Sequence, residues 1–395
     1  MRLINTLATA AAAVLMLASC QKENTSGIKN NTTDAKSTPV ADGSSGLLSK
    51  EGGNSKGFVY TLSNQTTGNM VLAYQRANDG TLTYVTSYSA GGNGTGGGLG
   101  NQGAVIIGGD DDDDVLLAVN PGSNTVSSFK INGNGGLVLK STFSSGGMRP
   151  VSVTMYDDIV FVLNAGGTGN ISGFSLDDNK LSPIPNSTRT LSSSMAGAAQ
   201  VSFVRNGRVL VVTEKATNKI ITYTVNEWGV PGTMHSITSA SPTPFGFAPG
   251  RHGNIYVSEA VGGAANASNV SSYQVSNDGS ITLADGPVGT GQSAACWVVL
   301  TNNGKFIYTT NTASNTLSSY NVNQGSGNIN LLQSIAATSG MGPIDAALSD
   351  NSKYLYVLNS ASHSISAYSV ANNGSLTTVQ TVTGLPASTN GLAAN

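Results

Sequence analysis

The sequence predicts an all-β chain wound into a seven-bladed β-propeller with four strands per blade. Three observations carry that prediction. After Gly57, a strand-like run ending in a polar residue recurs seven times, each followed by a short Gly/Asn/Ser turn and a second alternating run. The second runs close on Tyr74, Phe129, Phe174, Tyr223, Tyr273, Tyr320 and Tyr368, which stand 55, 45, 49, 50, 47 and 48 residues apart. A period of this size, filled only with short β-type runs, marks a repeat of small sheets. No segment of 3.6-residue apolar period follows residue 20, so helices are not expected.

Each unit reads as strands A to D. In the second unit these are Ala104–Ile107, Val115–Val119, Thr125–Ile131 and Leu137–Phe143. Asn-Gly and Asp-Gly pairs at Asp79-Gly80, Asn206-Gly207, Asp278-Gly279, Asn303-Gly304 and Asn373-Gly374 supply the positive φ that tight hairpins need. The first unit begins at strand B, because nothing resembling strand A precedes Gly57. Residues 386–394 repeat the entry Pro343-Ile344-Asp345-Ala346-Ala347-Leu348. Gly391 to Ala394 are therefore expected to supply the missing inner strand of the first blade and close the ring, leaving no open sheet edge.

Composition narrows the function. With 19 basic and 21 acidic residues and a net charge of −2, the chain lacks the basic footprint of a nucleic-acid binder and the polybasic segment of a lipid-surface binder. Two cysteines exclude a disulfide framework and a multi-cysteine metal site.

The N-terminus reads as an address. Arg2 supplies the positive start, and Leu7 to Leu17 is an apolar stretch too short to span a bilayer as a helix. Leu17-Ala18-Ser19-Cys20 resembles a bacterial lipobox, which implies cleavage after residue 19 and acylation of Cys20. Several acyl chains anchor stably where one does not. Gln21 after the cysteine points to the outer membrane, facing the periplasm or the cell surface. The membrane is then reached by the lipid anchor alone. Residues 1–19 are thus a signal peptide, 20–56 the lipidated cysteine with a polar tether, and 57–395 the propeller. A flexible tether of this length reaches roughly 30–35 Å. With Cys20 committed to acylation, Cys296 is expected to be a buried small apolar residue or a plain thiol.

From about residue 57 to the end, the repeats resemble the seven-bladed lactonase propellers, which include 6-phosphogluconolactonase and carboxymuconate cyclase. The resemblance rests on the repeated Tyr-Val-x-Asn/Glu strand ends, Asn277-Asp278-Gly279-Ser280 before Ile281-Thr282-Leu283, and the close from Gly384-Leu385-Pro386 to Gly391-Leu392-Ala393-Ala394. In that family a Pro-Arg-His segment opens an A strand and a Glu ends the following B strand. Glu214 matches the Glu, whereas Ala198-Ala199-Gln200 stands where the Arg and His would be.

Strand order sorts the loops onto two faces. The D–A and B–C loops share one, here the linker face, which collects the B-strand ends Ser63, Asn120, Asn164, Glu214, Glu259, Asn311 and Asn359. It also collects the A-strand starts, among them Gln102, Arg149, Gln200, Phe245, Trp297, Asp345 and Asn390. Such a ring around a concave mouth suits a polyol or lactone, although an Asn at a strand end also serves to hold its own turn. Carboxylates in a funnel would have raised pKa values suited to proton transfer. Glu214 is accordingly expected to be general base or water-positioner, Glu259 a second acid/base or ligand, and Arg149 the anion clamp. Asn120, Asn164, Gln200, Asn311, Asp345 and Asn359 would read hydroxyl groups. No organic cofactor is expected; Glu214, Glu259 and Asp345 with the Asn ring offer oxygen ligands for a divalent cation. His235, His252 and His363 fall in a D strand and two turns, Asp110 to Asp114 fill an A–B turn, and Gly91 to Gly100 form a flexible inter-blade loop.

The functional expectation is a monomeric propeller that binds, and hydrolyses, a lactone or sugar acid in its funnel. The missing Arg and His favour the alternative of a non-catalytic propeller displaying its face to a protein or glycan.

Overall fold

The computed structural model describes residues 57–109 and 114–395. The signal peptide, Cys20, the tether and Asp110 to Asp113 lie outside them. The described residues form seven antiparallel sheets in a ring, six of four strands and one of five. The extra strand arises in the third blade, where the D strand is split into Lys180–Pro183 and Arg189–Thr190, both pairing with Asn170–Asp177. The second-blade strands lie at Val105–Gly108, Val115–Asn120, Thr125–Ile131 and Leu137–Ser144, within a residue of expectation at either end.

The ring closes as the repeat implies. Asn390–Ala394 pairs antiparallel with Phe58–Leu62, setting Ala394 opposite Val59, Ala393 opposite Tyr60 and Leu392 opposite Thr61. The Thr61 hydroxyl donates to Gly391 O at 2.5 Å, and the Arg76 guanidinium donates to the Asn395 carbonyl at 3.0 and 3.2 Å.

The B strands explain the core. Val115–Asn120, Val209–Glu214, Asn254–Glu259 and Phe306–Asn311 are buried at every position. Each is covered on both faces by the neighbouring blades, which is why these runs are continuously apolar rather than alternating. The D strands lie at the rim and are largely open to solvent, as in Leu82–Ser89.

Hairpin glycines and B-strand tyrosines latch one blade to the next. Tyr60, Tyr308 and Tyr356 donate to the carbonyls of Gly135, Gly374 and Gly80 at 2.8, 2.8 and 2.9 Å. Each of these glycines has positive φ, and each lies against an aromatic ring of the preceding blade. A Cβ on Gly374 would fall 2.5 Å from Phe306, and one on Gly80 would fall 2.2 Å from Tyr354. Gly374→Ala therefore combines backbone strain with a clash. Its expected cost is about 1–3 kcal/mol, read as a lowered urea midpoint at unchanged slope.

Candidate active site at the linker-face mouth

Seven left-handed residues open the seven inner strands: Gly103, Arg149, Gly197, Thr243, Ala294, Gly342 and Gly391, with φ between 52° and 82°. Four are glycine, as the conformation favours. Arg149 instead holds a bulky cationic side chain at φ 52° and is exposed on the mouth. Its backbone is fixed by an N–H donated to Asn124 Oδ1 at 2.7 Å. Asn218 and Asn315 make the equivalent bond to Thr243 N and Gly342 N, both at 2.8 Å. Backbone held in a sparsely populated region by its surroundings is a feature of ligand sites.

The glycine-rich linker 91–103 is an inter-blade loop, but it is packed into the mouth rather than flexible. Asn64 Oδ1 accepts Thr95 N at 3.0 Å, and its Nδ2 donates to Gly97 O at 2.6 Å. Leu99 N donates to Asn390 Oδ1 at 3.1 Å. Trp297 Nε1 donates to Asn101 O at 2.8 Å, and the Gln102 amide makes two bonds to the Val298 backbone at 2.8 and 3.1 Å. Blades 2 and 6 stand on opposite sides of a seven-membered ring, so Gln102 spans the channel as a plug. The glycines permit this approach: a Cβ on Gly94 would lie 2.1 Å from the Asn64 carbonyl carbon.

Lys215, which directly follows Glu214, reaches over this plug. Its ammonium donates to Gly100 O and lies 4.6 Å from the centroid of the Phe245 ring, a cation–π geometry. Phe245 in turn packs on Trp297, with ring centroids 4.8 Å apart. Burial, reinforced by the neighbouring positive charge of Arg149, lowers the Lys215 pKa to about 8. The mouth thus presents two cations over an aromatic floor. Lys215 went unremarked in the sequence, although its signal is there. Asn64, Pro121, Ala165, Ala260, Thr312 and Ser360 follow the other six B strands, so it is the one cation at that position.

The two glutamates lie elsewhere. Both are fully buried and are used within their blades. Glu214 accepts Ser192 N at 2.9 Å, the Ser192 hydroxyl, and the Thr217 hydroxyl at 2.5 Å. Glu259 accepts the hydroxyls of Ser239, Ser271 and Tyr273 at 2.7, 2.7 and 3.0 Å, and Ser241 N at 3.1 Å. Burial raises the Glu259 carboxyl, and these four donors oppose the rise.

The asparagines at the same position do the same work. Asn120 donates to Ala90 O and Ser127 Oγ at 3.2 and 2.8 Å, and Asn164 to Ser145 O and Asn170 Oδ1 at 2.9 and 2.7 Å. Asn311 and Asn359 donate to Ser318 Oγ and Ser366 Oγ at 2.9 and 3.0 Å, and the Ser339 hydroxyl donates to Asn359 Oδ1. These clamps tie strand B to strand C and, in most blades, to the incoming linker. The expectation that Glu214, Glu259 and the four asparagines face the funnel is corrected on this geometry: with no exposed surface, none can touch a ligand in the mouth. Glu259→Gln replaces one acceptor by a donor, set either against the Ser271 hydroxyl or against Ser241 N–H with the Ser239 and Tyr273 hydroxyls. It is expected to cost about 1–3 kcal/mol, measurable as a lowered midpoint of thermal unfolding.

Gln200 and Asp345 do reach the channel, but below the plug. Gln200 brackets the next inner strand, accepting Phe247 N at 2.6 Å and donating to Phe247 O at 3.0 Å. His363 stands at φ 47° where Asn218 and Asn315 stand at 54° and 57° in other blades, and His252 also occupies a left-handed turn position. His235 lies on the exposed strand Pro231–Thr238. Cys296 is fully buried. Among the described residues no group of three or more His, Cys, Asp or Glu side chains is placed to share a metal ion. No helix there is long and apolar enough to cross a membrane.

Residues 267–390 match the family described as Lactonase, 7-bladed beta-propeller. No curated protein matches the chain. Among solved structures, this propeller is similar to a candidate 6-phosphogluconolactonase of Bacteroides uniformis, at 17% identity and a TM-score of 0.66 over 85% of this chain and 99% of that one. A counterpart from Bacteroides fragilis gives 16% and 0.66 over 86% and 98%. The periplasmic gluconolactonase of Pseudomonas aeruginosa gives 15% and 0.64 over 84% and 98%. At these identities the likeness establishes the shared fold.

Proposed function

We propose that the chain binds a sugar acid, or the lactone of one, at the linker-face mouth, with Arg149 and Lys215 holding the anionic or carbonyl oxygens. The observation that carries this reading is the Lys215 ammonium poised between Gly100 O and the Phe245 face beside the exposed Arg149. Charge-assisted bonds from two cations suit a carboxylate or phosphate, and the aromatic floor suits the C–H face of a sugar ring. The structural likeness to the Pseudomonas gluconolactonase supports the ligand class. In the roughly one tenth of chains whose Lys215 is neutral at pH 7, given a pKa of about 8, the amine takes a proton from a water that attacks the lactone carbonyl carbon while Arg149 holds the carbonyl oxygen; the ring C–O bond then breaks and Lys215 returns the proton to the leaving ring oxygen.

One observation favours a second reading, a non-catalytic mouth offered to a glycan or protein: both carboxylates suited to acid–base work are saturated inside their blades. Assays of glucono-1,5-lactone opening and gluconate binding separate the two. The first reading expects turnover above the spontaneous rate and loss of both activities in Lys215→Met. Binding without turnover supports the second, and absence of both removes the sugar-acid reading.

We also propose that Cys20 anchors the propeller to the outer membrane. Cys20→Ala is expected to release the chain from the membrane fraction; a variant that stays there contradicts the anchor.

A further inference from the structure

Below the plug the channel opens into a cavity of about 280 Å³, near the lower end of the range for small-molecule sites. Gln102 and Gly103 close it toward the mouth, so it is separate from the site proposed above. Its walls come from the inner strands of five blades and mix polar groups with the apolar side chains of Val105, Ile106, Val153, Met155 and Leu392. Asp345 is the one titratable residue in the lining, and it is 2% exposed.

The surroundings of this carboxyl are unusual. Oδ1 accepts Ala346 N at 2.8 Å and Oδ2 accepts Leu392 N at 3.1 Å. No cationic side chain pairs with it among the described residues. A buried charge is costly unless it is paired as well as hydrogen-bonded. Burial accordingly pushes the Asp345 carboxyl well above the usual carboxylate range. Each oxygen keeps a further acceptor site for a donor arriving from the cavity. Thr154 and Ser202 belong to the wall contributed by the third and fourth blades.

We infer that this cavity takes a primary ammonium group carried on a small apolar skeleton, with Asp345 as its counter-ion. A hard divalent cation fits poorly, since calcium needs six to eight oxygen ligands and Asp345 is the only carboxylate present. An ammonium has three donors, two of which the remaining acceptor sites of the Asp345 oxygens can take, and the apolar side chains of the lining can cover its carbon chain.

Calorimetric titration of the full chain with n-butylammonium, n-butanol and potassium ion tests this. The expected result is single-site binding of n-butylammonium, with n-butanol at least tenfold weaker and potassium a poor competitor. Asp345→Asn is expected to lower the affinity at least tenfold. Ser202→Leu removes only a 3.4 Å contact to Phe203 O, fills the cavity, and should abolish binding in a chain that still melts cooperatively. If Asp345→Asn does not fold, the amine–alcohol pair and Ser202→Leu decide. The inference is overturned if n-butylammonium does not bind, if the alcohol binds equally well, if potassium displaces the amine at equal concentration, or if the folded Ser202→Leu chain binds like wild type. Gluconate binding at the mouth is a separate measurement, and its failure leaves this result untouched.

Discussion

A chain ending at Thr389 is expected to lose its cooperative thermal transition, not merely to melt a few degrees lower. Residues 390–395 hold the inner strand of the first blade, and nothing else among the described residues pairs with that side of Phe58–Leu62. Their removal exposes the edge of a strand buried along its whole length. It also leaves the Thr61 hydroxyl and the Arg76 guanidinium without acceptors and takes one of two donors from Asp345. Leu392→Ala alone is expected to cost about 2–5 kcal/mol. Losing the whole strand is comparable with the ~5–15 kcal/mol stability of a domain. Circular dichroism on heating checks this, and a sharp transition in the shortened chain would contradict the closure.

The second large effect is on ligand binding. Lys215→Met is expected to weaken gluconate binding roughly 10- to 100-fold, the range for a hydrogen bond to a charged group. Since the Lys215 pKa is lowered to about 8, wild-type affinity should fall as the pH rises through that value. Lys215→Arg, which stays charged, should shift the decline to higher pH. Stability should move the opposite way. The unfolded chain holds the lysine proton up to its ordinary value near 10.5 while the folded chain releases it near 8. The unfolded state therefore binds more protons between those values, and stability rises with pH across that window. Buried tyrosines, whose pKa values burial raises, pull stability down as pH nears 10, so urea unfolding at pH 7.5 and pH 9 reads the sign: stability should rise more in wild type than in Lys215→Met.

The ring was legible in the sequence because its determinants are local and repeated. Apolar B strands, left-handed turn glycines and the echo of Pro343–Leu348 near the C-terminus each map to one physical need. The site was less legible. A polar residue at the end of a B strand can turn toward the channel or back into its blade, and spacing alone does not tell which. The deciding partners are the serines at the seventh position after Asn120, Asn311 and Asn359, together with those in the linkers before Glu214 and Glu259. Small hydroxyls placed to meet a buried side chain mark a clamp. The plug was missed for a related reason, since glycines that loosen an isolated loop are the same residues that allow backbone to pack against backbone.

The central claim is that the cations of the mouth, and not the blade glutamates, carry ligand recognition. Parallel gluconate titrations of Lys215→Met and Glu259→Gln, each with its melting curve, test it most directly. The predicted result is lost binding at a melting temperature no lower than wild type for Lys215→Met, and retained binding at a lowered melting temperature for Glu259→Gln. Retained binding in a folded Lys215→Met chain, together with lost binding in a folded Glu259→Gln chain, would contradict it.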